Sequence, residues 1–231
     1  MPAKDASMIA RRLPSSAFRT IVVLTALGGT LAGCAKNGEI VVDQGVGITA
    51  VRSRCPAVGI PDYTGDLTLF RNAGDKTAGN IDVVASMTNV RTQCNEDAGD
   101  KVFATVSFEV RARRNDTSGA RQIAVPYFVT VLQGGTNVAS KRVGSVTLNF
   151  EPGQERAQAQ ATGTAYIDRA AATLPDEVRR RITRERKAGD VDAAVDPLAD
   201  PEVRTAVARA TFEVLVGFQL NNEQMTYNAT R

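Results

Sequence analysis

The sequence predicts a mainly β protein: an antiparallel β-sandwich with a short arginine-rich helical excursion and a short C-terminal helix. Three observations carry that reading. Apolar residues alternate with polar ones from about residue 46 to 167, turn-forming clusters separate the alternating runs, and the period changes at 174. Residues 66–70 (DLTLF) form a short strand, and 80–90 (NIDVVASMTNV) alternate in part. The clearest strand is 101–114. Val102, Ala104, Val106, Phe108 and Val110 share one face there, and Thr105, Ser107, Glu109 and Arg111 share the other. A strand at 121–132 follows, with Pro126 marking an edge or a bulge.

Gln133-Gly134-Gly135-Thr136-Asn137 reads as a hairpin loop, and 138–150 returns with Val146, Leu148 and Phe150 aligned. After the turn Glu151-Pro152-Gly153-Gln154, residues 155–167 set Ala and Gly against Gln, Arg and Thr, a strand with a small-residue inner face. From 174 the spacing becomes helical. Pro175 stands near the helix start, Asp176 and Glu177 in its first turn, and Leu174, Val178 and Ile182 form one thin apolar stripe through 174–187. Residues 188–202 read as an acidic, proline-punctuated loop. The excursion, about 170–202, carries charge rather than apolar bulk and is expected to add little to the core. A last strand at 210–220 aligns Phe212, Val214, Val216, Phe218 and Leu220, and Asn221 with Gln224 predicts a capping box for a terminal helix. The strand pattern is similar to the immunoglobulin and fibronectin type III class. The tryptophan and cysteine spacing of true immunoglobulin domains is missing, as the chain has no Trp.

The N-terminus has its own logic. Lys4, Arg11, Arg12 and Arg19 precede an uncharged run from Ile21 to Gly33. Thirteen residues at about 1.5 Å each reach only about 20 Å, short of the roughly 30 Å of a bilayer core, so the run reads as an export signal. It ends Leu31-Ala32-Gly33-Cys34, which resembles the lipobox of bacterial lipoproteins. The resemblance implies cleavage before Cys34, acylation of that cysteine and an anchor of two or three chains. It divides the chain into a signal peptide (1–33), a lipidated cysteine with a short tether (34–45) and one domain (46–231). Ala35 rather than Asp after the cysteine implies the periplasmic leaflet of the outer membrane more than the inner membrane.

Removing the leader takes away four of 28 basic residues and one of 25 acidic ones, leaving 24 of each. The mature chain is therefore formally neutral, and its charge gives no ground for nucleic-acid binding. Cys55 and Cys94 then form an even pair in an oxidising compartment, a predicted disulfide.

The chain has no histidine. Ser-His-Asp and Cys-His catalysis, HExxH zinc sites and Cys/His zinc clusters all require one. No nucleophile elbow and no Walker loop occur. Gly45-Val46-Gly47-Ile48-Thr49-Ala50 lacks the following helix that a dinucleotide fingerprint needs. Glu109 and Glu213, both in FEV strands and both expected to face solvent, are the candidate carboxylate pair for glycosidase-like chemistry. The acids Asp190, Asp192, Asp196, Asp200 and Glu202 match no EF-hand spacing, and 94–100 (CNEDAGD) reads as a turn. Arg180, Arg184 and Lys187, at i, i+4 and i+7 of the predicted helix, form a candidate interaction face for acidic headgroups or an acidic protein partner. No cofactor and no metal site is expected. The expected function is a non-catalytic, membrane-anchored structural or interaction module of the envelope. The alternatives are a carboxylate-dependent carbohydrate-active or envelope-remodelling enzyme, and an accessory binding lipoprotein of a transport or secretion system.

Overall fold

The computed structural model describes residues 52–231. Leu31, Ala32, Gly33 and Cys34, the 34–45 tether and the glycine motif at 45–50 lie outside the described residues. The described chain is a β-sandwich of two four-stranded sheets. One has the order β1 (Ala57–Gly59), β8 (Phe212–Phe218), β5 (Arg121–Gln133), β6 (Asn137–Phe150), and the other β2 (Asp66–Phe70), β3 (Ile81–Ala98), β4 (Lys101–Arg114), β7 (Arg156–Asp168). All neighbours are antiparallel except β1 and β8.

The alternation in β4 does what period two requires. Val102, Ala104, Val106, Phe108 and Val110 are buried, and across the sandwich Val125, Val129 and Val131 of β5 and Val214, Val216 and Phe218 of β8 meet them in one core. The small inner face of β7 has a steric cause. A Cβ at Gly163 would overlap the Val129 side chain, so any larger residue would push the sheets apart. Its neighbour Thr162 accepts a hydrogen bond from the Tyr127 hydroxyl through its carbonyl at 3.0 Å.

Three strand details differ from expectation. β3 runs on through Cys94 to Ala98, because β4 pairs with it along its length apart from irregularities between Thr88 and Arg91 and between Asn95 and Ala98; the tip at Gly99 (φ 68°) turns. Pro126 sits in an interior strand and at no bulge. Its carbonyl accepts from Gln219 at 2.9 Å, just past the end of β8, so its missing N–H falls where the β8 ladder has stopped. Glu109 is 7 % exposed rather than solvated: Arg111 closes on it at 3.1 Å, beside a β3 bulge between Thr88 and Arg91.

Arg114 continues the inward phase of β4 and is 1 % exposed. Its guanidinium donates to the carbonyls of Gln154 (2.9 Å), Gly119 (2.6 Å) and Glu151 (2.8 Å) and lies over the Phe150 ring. Hydrogen bonds from a charged donor contribute about 1.5–3 kcal/mol each, which offsets the cost of burying the charge. The side chain thereby ties two loops over one end of the sandwich.

The excursion is more ordered than the sequence suggested. Helix α1 (Asp176–Thr183) stops four residues short of the predicted end. The apolar stripe, Val178 and Ile182, would next need position 186, and that residue is Arg186. The chain leaves the helix at Arg184, and Arg186 buries to 4 % exposure against the Arg181 and Arg184 carbonyls and Asp192. After a 3₁₀ turn at Pro197–Ala199 within the expected loop (188–202) comes a second helix, α2 (Pro201–Ala210), which begins at the end of that loop and fills 203–209, a stretch for which no element was expected. Asp200 caps it, accepting from Glu202 N at 2.8 Å, with Pro201 in its first turn. Val178, Ile182, Val203 and Val207 bury together as a second, small core. The excursion therefore buries Val178 and Ile182 against Val203 and Val207 of α2, which lie just beyond it, in a cluster separate from the sandwich core. Helix α3 (Asn222–Thr230) carries the predicted capping box between Asn221 and Gln224. No described helix is long and apolar enough to cross a membrane.

Candidate functional site: an arginine-rimmed cleft

Where the helices meet the sandwich there is a cleft of about 480 Å³, within the usual size range of small-molecule pockets. Its first wall is the segment 52–57, which has almost no secondary structure and is held from outside. The Cys55–Cys94 disulfide ties it to β3, with Cα atoms 6.0 Å apart. Two residues beyond Cys94, Glu96 accepts from the Ser53 hydroxyl, from Arg54 N at 3.2 Å and from Arg54 Nη1 at 3.4 Å. The Ser53 hydroxyl bond, with smaller help from the Arg54 and Cys55 amides and the Arg54 charge, holds the Glu96 carboxyl below its ordinary range against a desolvation effect that raises it. Arg54 Nε donates to Thr173 Oγ1 at 3.0 Å, linking this wall to the loop after β7.

The second wall is α1, with Arg179 paired to Asp176 at 2.7 Å. The floor joins the two cores: Ile182 and Val207 come from the helical cluster and Ala172 and Phe212 from the sandwich. The hairpin between β5 and β6 fixes α2 from below, through Gln133 Nε2 to the Arg209 carbonyl (2.8 Å) and Gly134 N to the Thr211 carbonyl (2.9 Å). At Gly134 (φ 64°) a Cβ would stand 3.3 Å from the Ala208 carbonyl oxygen, so both the turn and the approach of α2 favour glycine. Arg52, Arg54 and Arg179 line the cleft against one acid, Asp176, and Arg52 makes no ion pair with any described residue. The result is an apolar floor under a cationic rim, with Ser53, Thr173, Thr183 and Thr211 supplying hydroxyls.

The residues singled out from the sequence fall as follows. Cys55 and Cys94 are bridged. Arg180, Arg184 and Lys187 do not form a helical face, because α1 ends at Thr183. Arg180 is exposed on the helix, Arg184 is paired with Asp192 (2.6 Å) and Asp190 (3.7 Å), and Lys187 lies in the following turn. Glu109 and Glu213 belong to different sheets, each out of phase with the inner face of its strand, so they sit on opposite outer faces and cannot flank one bond. The loop acids are engaged locally: Asp190 and Asp192 by arginines, Asp196 and Asp200 as caps. Among the described residues no three acids, cysteines or histidines gather into a metal-binding group. Arg52, Arg54 and Glu96 escaped the sequence reading. A signal existed, since Arg54 and Glu96 each stand within two residues of a bridged cysteine and must come close once that bridge is accepted.

No family model matches the chain, and no curated protein matches it.

Proposed function

We propose that this chain is a non-catalytic envelope lipoprotein. On this reading Cys34 is acylated and anchors the protein to the periplasmic side of the outer membrane, and the sandwich serves as a rigid frame for a binding surface at its helical seam. The observation that carries the reading is the clasp at the start of the described chain. The disulfide and the Ser53–Arg54–Glu96 hydrogen bonds fasten the segment that leads from the tether directly beside the cleft. Arg52 stands 18 residues after Cys34 (52 less 34), so an extended tether reaches about 60 Å at most and keeps the cleft near the lipid surface. A disulfide of this kind persists in an oxidising compartment and not in a reducing one.

Anchoring is tested by labelling cells with a radioactive fatty acid. The native chain takes up label and fractionates with the outer membrane, while Cys34→Ser accumulates unlabelled as an uncleaved precursor. Label retained in the Cys34→Ser variant contradicts the anchor.

A further inference from the structure

We propose that the cleft between the 52–57 segment, α1 and α2 binds an amphiphile with a single anionic head, a phosphate or carboxylate on a short hydrocarbon chain. The inference deepens the binding-module reading and rests on it. Three features select this chemistry. The lining carries three guanidinium groups; Arg179 is paired with Asp176 and Arg54 with Glu96, so the rim's unbalanced positive charge is that of Arg52, which an anionic head would compensate and a neutral or cationic one would not. Arg52 in particular has no acidic partner among the described residues, and a guanidinium is suited to bidentate recognition of phosphate or carboxylate. The floor beneath is hydrocarbon: Leu174, Ile182, Val207, Ala210 and Phe212 offer an apolar body no hydrogen bond to lose and no charge to desolvate.

The position of the floor adds a mechanical consequence. An occupant touches the small core through Ile182 and Val207 and the large core through Phe212 and Ala172. Binding therefore cross-links the helices to the sandwich and should stiffen the 184–196 connection, which is otherwise held by the exposed Arg184 pairs with Asp190 and Asp192 and by the buried Arg186 on Asp192. Such a ligand has two sources, a soluble amphiphile or the head of a membrane phospholipid with part of its chain.

The test uses the mature, full-length chain in phosphatidylcholine nanodiscs, with empty nanodiscs as the blank. Octyl phosphate below its micellar range is titrated by calorimetry, and tryptic cleavage after Lys187 is followed in parallel. The expected result is one site, at least tenfold tighter for octyl phosphate than for inorganic phosphate or for octanol. Cleavage after Lys187 should slow at least fivefold on binding. The double variant Arg52→Glu, Arg179→Glu should lose at least tenfold in affinity, and Lys141→Gln, on β6 and away from the cleft, should lose nothing. Replacing part of the phosphatidylcholine by phosphatidylglycerol distinguishes the sources. Protection of Lys187 without added octyl phosphate, lost in the arginine double variant, assigns the ligand to the membrane. Equal affinity for octyl and inorganic phosphate, or for octyl phosphate and octanol, overturns the proposal, as does binding that ignores the arginine substitutions or no binding at all. The outcome is separable from that of fatty-acid labelling: if Cys34 is not acylated, the same titration runs on the exported chain in plain buffer and still reads the cleft alone.

Discussion

The sandwich and the helical excursion are held together by different physics. The sandwich buries valines, alanines, leucines and phenylalanines from both sheets in one continuous core. The excursion buries four aliphatic side chains and surrounds them with ion pairs: Arg181–Asp200 at 2.6 Å, Arg184–Asp192 at 2.6 Å and Arg186–Asp192 at 3.4 Å. Burial at about 25 cal/mol per Å² of apolar area scales with the size of the cluster. The exposed Arg181 and Arg184 pairs contribute about 0–1 kcal/mol each and are screened by salt, while Arg186 is buried. One chain thus combines a frame expected to open only globally with an attachment expected to open on its own, and the cleft is lined by residues of both.

The largest effect that sharpens this contrast is reduction of Cys55–Cys94. The bridge spans 39 residues, and the chain-entropy model assigns such a loop about 4 kcal/mol. The denaturation midpoint should fall accordingly for the whole sandwich, because Cys94 lies within β3 opposite Ala104 of β4. Alkylation of denatured protein with and without reductant should differ by two thiols, and equal labelling would show that the bridge is absent.

Next come two truncations of similar chemistry in the two regions. Leu148→Ala in the sandwich core, where Leu148 is fully buried, should cost about 3 kcal/mol of global stability. Ile182→Ala, at a site almost as buried, should shift the global denaturant midpoint by much less and instead speed hydrogen exchange in α1 and α2. Equal global losses for the two variants would break the distinction.

The smallest expected effect is electrostatic. Asp200 has its carboxyl held below its ordinary range, first by the Glu202 amide and then by Arg181. Because the folded value is the depressed one, the stabilisation is complete above the unfolded value of about 3.9 and drains as pH falls through the folded value. The protection of the first α2 amides, relative to their intrinsic exchange rates, should therefore fall below about pH 4 while that of β4 and β5 amides is unchanged. Asp200→Ala should lower the same protection at neutral pH and leave no further fall across this range.

The legible parts of the fold were those in which one physical rule operates undisturbed. The apolar positions of β4 alternate from Val102 to Val110 because β7 pairs with it in unbroken register from Lys101 to Arg113, and the Asn221–Gln224 capping box is a purely local device. The second half of β3 was hidden because its Arg, Thr, Gln and Asn are largely exposed, so the alternation that normally reveals a strand is absent and β4 supplies the order. Helix α2 was hidden because its stripe is only Val203 and Val207, although Asp200-Pro201-Glu202 is a recognisable start. The burial of Glu109 follows from a bulge in another strand and has no local signature. Of the site, the disulfide was readable from cysteine parity. The cleft was not, since it draws on segments more than 150 residues apart.

Independent opening of the helices bordering the cleft is tested most directly by native-state hydrogen exchange across a denaturant series. The α1 and α2 amides should exchange through a low-free-energy opening with little denaturant dependence, while buried amides of β4, β5 and β8 should exchange only through global unfolding. Exchange of helix and strand amides at one common free energy, with one common denaturant slope, would contradict independent opening.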